Sequence, residues 1–332
     1  MGRSIRAAAA AVWLALLLSV SAFAEAPESL VPVGRTVGLE LETDGIYIVG
    51  FDEETGSCPA EAAGLRAGDR ICAVNGEPLC AAEALRALVA EAGGAAVVLD
   101  VDRGGRAVQV AVQPVDRNGT PYLGLRVRDR LAGLGTVTFY DPDTGLFGAL
   151  GHGVSAGGGQ PLRIRGGLAA EASVSGIRRG AAGAPGSLLG QAVDGETLGR
   201  VEQNTDRGLF GHADGAALDG QSVPLAAREE VTEGPAEIWC GFEDGQTVRY
   251  AVEIEAVHLD TAQCRDLRIV VTDRRLLEKT GGIVQGMSGS PILQNGKLVG
   301  AVTHVLVRDP TRGYGILIGH MLEGADQAAK AA

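Results

Sequence analysis

The stretch GGIVQGMSGSPILQNGKLVGAVTHV, residues 281–305, constrains the fold more than any other. Two apolar runs with strand character flank Gly286-Met287-Ser288-Gly289-Ser290-Pro291. A ladder is interrupted there by the most flexible residues available, then by a proline that has no N–H to give it. A tight turn is one reading. The other is a corner that holds one hydroxyl beside several backbone N–H groups, where a Cβ would obstruct. A serine hydroxyl is a poor nucleophile at its free pKa, so that corner needs an imidazole to take its proton and a third group to orient the imidazole. It also needs donors for a developing oxyanion, and the N–H groups of Gly286 and Ser288 are placed to converge.

Composition supports a mainly β chain. Fifty glycines and only 4% aromatic residues favour many short strands and turns, and 332 residues suffice for two domains and a leader. A formal net charge of −12 argues against nucleic acid as a partner. Residues 1–24 combine Arg3 and Arg6, an apolar run and Ala22-Phe23-Ala24, which is the pattern of an export signal or an uncleaved membrane anchor. The rest of the chain is therefore expected outside the cytoplasm. Five cysteines show no metal-ligand spacing, so neither metal nor cofactor is expected; Cys240 and Cys264 are candidates for a bridge.

Residues 25–35 read as a linker and 36–114 as a compact unit. Within it, Val37 to Leu41 alternates, Asn75-Gly76 marks a hairpin turn, and Leu85, Leu88 and Val89 have helical spacing. The block AAGLRAGDRICAVNGEPL, Ala62 to Leu79, resembles a PDZ domain. That resemblance implies a groove for an extended peptide tail between the strand after Gly38 and the helix near residues 84–90. Thr36, Val37, Gly38 and Leu39 would line it, with the loop Gly34 to Gly38 holding a terminal carboxylate.

Residues 115–332 read as strand after strand. Of the five histidines, His152 alone ends an apolar hairpin strand between two glycines, upstream of Ser288; His304 follows on an alternating strand and reads as a packed side chain. Gly286 to Pro291 resembles the nucleophile loop of chymotrypsin-like serine peptidases. Together with YDPDTGLFGALGHGVS, GRVEQNTDRGLFG and the long block from Thr280 to Ile316, behind a PDZ unit, it is similar to the SpoIVB family of sporulation serine peptidases. The resemblance implies a PDZ domain followed by a chymotrypsin-like double β-barrel, with Ser288 as nucleophile, His152 as base and Asp273 as acid. Asp194 and Asp206 also fit, since such barrels usually bring the acid from their first half. It further implies self-cleavage and the cutting of a membrane-bound regulator of an intramembrane metalloprotease, which leads to late sigma-factor activation. A non-catalytic PDZ adaptor that binds a membrane partner's tail is the alternative.

Overall fold

The computed structural model describes residues 27–52, 58–79, 81–155, 160–213, 218–243, 246–258 and 264–331; the apolar leader at 1–24 and Cys80 lie outside them. In chain order the first part holds β1 (Ser29–Pro32), β2 (Thr36–Phe51), α1 (Pro59–Ala62), β3 (Arg70–Val74), β4 (Glu77–Pro78), α2 (Ala82–Glu91), β5 (Val97–Arg103), β6 (Arg106–Val112), β7 (Val115–Arg117), β8 (Thr120–Tyr122) and β9 (Leu125–Tyr140). Then come β10 (Leu146–Ala149), β11 (Ile164–Arg178), β12 (Ser187–Thr205), β13 (Gly208–Ala213) and β14 (Val223–Pro224). The last part holds β15 (Gly234–Glu243), β16 (Gln246–Val257), β17 (Leu267–Val271), α3 (Arg274–Thr280), β18 (Pro291–Gln294), β19 (Lys297–Val305), β20 (Arg312–Leu317) and α4 (Ile318–Ala331).

Two barrels carry the site. The second is closed, in the order β15-β16-β17-β20-β19-β18. Its alternating strands fill it with Ile238, Ile254, Ile269 and Ile292, and Met287 packs into the same core from the nucleophile loop. The proline that breaks the strand pattern, Pro291, is the first residue of β18, where a missing donor costs the ladder least. The first barrel runs β9-β10-β13-β12-β11-β2, and the pairing of β2 with β9 closes it. Val37, Leu41, Val137, Phe147 and Leu209 form its core.

The PDZ unit does not precede the peptidase as a separate bead with the boundaries 36–114. It is inserted into the first barrel between two strands that belong to both units. In β2, residues up to Glu42 pair with β9 and β11 inside the barrel, and residues from Ile46 pair with β3 inside the PDZ unit. In β9, Leu125 and Val127 pack on the PDZ core, whereas Val137 sits in the barrel core. Nor are residues 25–35 merely a linker, because Ser29–Pro32 forms β1, paired with β9 and β14. The periodicity of each half of β2 and β9 was legible; that one strand passes through two cores was not, since alternation looks the same in either.

This layout overturns the expected peptide groove. Thr36, Val37, Gly38 and Leu39 have β9 on one edge, with Thr36 opposite Thr136 and Leu39 opposite Gly133, and Val37 to Leu39 have β11 on the other, with Leu39 opposite Ala169. No backbone edge is left there for a peptide to join. The groove of the PDZ unit lies instead between α2 and the segment Tyr122–Arg128, a cavity of about 720 Å³ floored by Leu85, Val89, Leu123 and Val127. The strand expected first in the unit comes last in the chain. The candidate bridge is also absent. Cys240 and Cys264 are separate buried thiols, the first beside the Ser290 hydroxyl at 3.2 Å and the second donating to the Asp206 carbonyl at 3.0 Å.

Because β2 supplies an interior strand of the first barrel, a chain cut at residue 115 lacks that strand. It is expected to show no cooperative thermal transition by circular dichroism, whereas a chain starting at residue 27 melts as a folded protein; equal melting of the two would contradict the shared-strand architecture.

Candidate active site

Ser288 and His152 come from different barrels and line one cleft of about 450 Å³, with Leu134, Gly286, Thr303 and His304 around them. The loop that carries Ser288 is held by buried threonines from β9. The Thr136 N–H donates to the Ser288 carbonyl at 2.9 Å and its hydroxyl to the Gly286 carbonyl at 2.8 Å. The Thr138 hydroxyl donates to the Gly289 carbonyl at 2.8 Å, and the Gly289 N–H to Val302 at 2.8 Å. Gly289 has φ +95°, and a Cβ there would stand 2.0 Å from the Thr136 carbonyl oxygen, so only glycine fits. With the loop carbonyls turned inward to these donors, the N–H groups of Gly286 and Ser288 donate to no acceptor among the described residues. Two unspent donors flank the hydroxyl, as an oxyanion pocket requires.

His152 follows β10 through Leu150 and Gly151, both left-handed, and the Leu150 N–H donates to the Thr136 carbonyl at 3.2 Å. The His152 Nδ1 lies 3.0 Å from the Gly153 carbonyl oxygen. A carbonyl only accepts, so the proton sits on Nδ1 and the Nε2 lone pair is left to act as a base. Burial lowers the pKa of His152, and the Gly153 bond opposes that only in part. The Ser288 hydroxyl donates to the Thr303 carbonyl at 2.8 Å, so in this conformation its proton is committed to a backbone oxygen.

Asp273 is not brought to His152. It is the N-cap of α3, where Oδ1 accepts from the Arg275 N–H at 2.9 Å, and Oδ2 lies 2.7 Å from the Arg275 guanidinium. These bonds pull its carboxyl down to about 2. It lines a different cavity, with Arg249, Tyr250 and Asn295. Its position just before a helix, followed by two arginines, was the sequence sign of a cap. Asp194 is exposed on β12, and Asp206, also exposed, contributes its carbonyl oxygen to the Gly153 N–H at 3.3 Å.

The group that sequence reasoning set aside is His304. Its ring centroid lies 4.9 Å from that of His152 at a 33° tilt. Its Nδ1 is buried without a hydrogen-bond partner among the described residues. Burial first, then the His152 and Arg265 charges, push its pKa to about 4. Alternation placed it on β19; only the meeting of the two barrels puts it beside His152. The described residues contain no cluster suited to a metal ion.

Two measurements follow. Asp273→Ala should cost about 1 kcal/mol of stability through the lost cap while leaving the rate of Ser288 labelling by a fluorophosphonate unchanged; loss of labelling in a folded variant would restore Asp273 as the acid. The labelling rate requires neutral His152, whose pKa is lowered, so its acid limb should fall below pH 6.5, the ordinary imidazole value; a limb above pH 6.5 would contradict the burial argument.

Comparison with known proteins gives the chain's family. The SpoIVB peptidase S55 family matches residues 119–322, and a PDZ domain matches 57–103. None of the curated proteins matches the sequence. Similar solved structures include the active form of the Rv3671c protease from M. tuberculosis, 17% identical, covering 60% of this chain and 74% of that one with a TM-score of 0.34. The HtrA-type protease AlgW with a decapeptide is 11% identical, covering 65% and 55% with a TM-score of 0.36. The PDZ domain of the SdrC-like protein from Listeria monocytogenes is 22% identical, covering 26% and 90% with a TM-score of 0.23. The family match spans more than half of the chain, and this protein accordingly belongs to the SpoIVB peptidase S55 family as a PDZ-containing serine endopeptidase of chymotrypsin-like fold.

Proposed function

We propose that Ser288 is the nucleophile and His152 the general base of this peptidase. One movement precedes chemistry: the Ser288 hydroxyl leaves the Thr303 carbonyl for another staggered rotamer, facing the cleft. His152 Nε2 then takes the hydroxyl proton as Oγ attacks the peptide carbonyl, and the N–H groups of Gly286 and Ser288 receive the oxyanion. His152 returns the proton to the leaving amine. Water, deprotonated by the same imidazole, releases the acyl group. The Gly153 carbonyl orients His152 in the position that a carboxylate occupies in a Ser-His-Asp triad. His304, uncharged near neutral pH, adds no competing positive charge beside the base.

The observation that carries this reading is the convergence of Ser288, His152 and two undonated N–H groups in one cleft. Family membership and the apolar leader support a finer role. In that role the exported enzyme cuts itself and a membrane-bound regulator, and so releases an intramembrane metalloprotease that activates a late sigma factor. The PDZ groove selects the partner.

Wild type should label with a fluorophosphonate, and Ser288→Ala and His152→Ala should not. Equal labelling of wild type and Ser288→Ala would leave only the adaptor reading, in which the PDZ groove binds a tail and nothing is cut.

A further inference from the structure

Strand β9 joins the PDZ groove to the cleft along one edge. Between Leu125 and Gly135 its pairing partner is β2, and its other edge has no strand partner among the described residues. The first residues of that edge border the groove beside α2; Leu131 to Leu134 border the cleft that holds Ser288. Helix α2 is moored to β9 where the Ala82 N–H donates to Asp129 at 2.8 Å, and beyond that point the edge is bare. A Cβ added at Gly133 would meet nothing within 4 Å.

The groove end offers two backbone donors. Ahead of β9, the N–H groups of Leu123 and Gly124 donate to no acceptor among the described residues, and Gly124 is left-handed at φ +77°. Successive N–H groups in such a turn form an anion-binding concavity. A chain with its terminus there and its body on the edge runs antiparallel to β9 by construction. At the cleft, the part of the tail on the β9 edge then lies C-terminal to the bond cut, so it carries the leaving amine.

The edge also carries charge. Arg126, Arg128 and Arg130 recur at every second position, all exposed, and Arg86 of α2 lines the groove. Arg130 meets Glu42 at 3.3 Å, whereas Arg126 and Arg128 have no ion pair among the described residues. In a chain of net charge −12 this is a local basic stripe. A cross-strand neighbour on that face is favoured when acidic; the alternate residues face Leu125, Val127 and Leu131.

We propose that the substrate is the acidic C-terminal tail of another polypeptide, added as a strand along the bare edge of β9. Its terminal carboxylate lies at Leu123–Gly124, and Ser288 cuts it about ten residues from its end. The count follows from the edge itself: Gly124 to Leu134 is about ten positions, roughly 33 Å of extended chain. The inference rests on Ser288 as nucleophile. The covalent step is the hydrolysis already described: the Ser288 proton goes through His152 to the leaving amine of the tail peptide, and water splits the ester.

The test uses the full chain and two synthetic libraries of peptides about 24 residues long with random interiors, one ending in free valine and the other in valine amide. At this length the edge leaves room for residues on both sides of the cut. Products are read by mass spectrometry, and fluorophosphonate labelling is run on the same protein. Cuts should cluster about ten residues from the free terminus, with acidic residues enriched at alternate positions, and the amide library should be cut about tenfold more slowly with clustering lost. Arg126→Glu combined with Arg128→Glu should exchange the enrichment from acidic to basic residues, an outcome that misfolding does not produce. Scattered cuts, equal cutting of acid and amide, no cutting while labelling persists, or unchanged acidic enrichment in the charge-reversed variant would each overturn the proposal. Absence of wild-type labelling would instead overturn the nucleophile assignment, and the track with it.

Discussion

Thr136 is the residue on which the site depends. Its N–H, hydroxyl and carbonyl oxygen hold the Ser288 carbonyl, the Gly286 carbonyl and the Leu150 N–H respectively. One buried residue of β9 therefore fixes the serine loop from the second barrel and the strand end that presents His152 from the first. A net hydrogen bond contributes only about 1 kcal/mol, but leaving either loop carbonyl buried and unpaired would cost about 1–3 kcal/mol. The larger consequence is geometric. With the carbonyls committed inward, the N–H groups of Gly286 and Ser288 are left without an acceptor among the described residues, a by-product of how the two barrels are stitched together.

The same strand explains the position of the PDZ unit. Strands β2 and β9 leave the barrel together, form one side of the PDZ core and enclose everything between them. A groove on such an extension is tied to the catalytic cleft by the unbroken strand β9, which pairs with β2 on both sides of the register shift between Glu42 and Tyr47. In a unit tethered by a flexible linker, the distance between the two sites would be a distribution; here it is set by strand rise.

Electrostatics in the cleft favour neutral imidazoles. His152 and His304 lie close together and half-buried, and each is disfavoured as a cation, His304 the more strongly. Without a carboxylate on Nδ1, the tautomer of His152 is set by a backbone carbonyl. That arrangement orients the ring but gives an imidazolium less stabilisation than an ionised acid would. Asp273, ionised down to about pH 2, spends its charge on a helix end and on Arg275.

The sequence by itself determined the elements and the chemistry they could carry: alternating strands, the Asn75-Gly76 turn, the PDZ signature at Ala62 to Leu79, and the glycine corner around Ser288. These depend on local periodicity and on backbone freedom, which neighbouring residues reveal. Tertiary structure alone decided which edges were free, that Thr36 to Leu39 are interior to a barrel, that His304 rather than Asp273 stands beside His152, and that β9 runs from groove to cleft. The physical reason is that pairing and proximity between residues more than a hundred positions apart are set by how the barrels close and pack. A strand's own alternation is identical whether its edge is bare or paired.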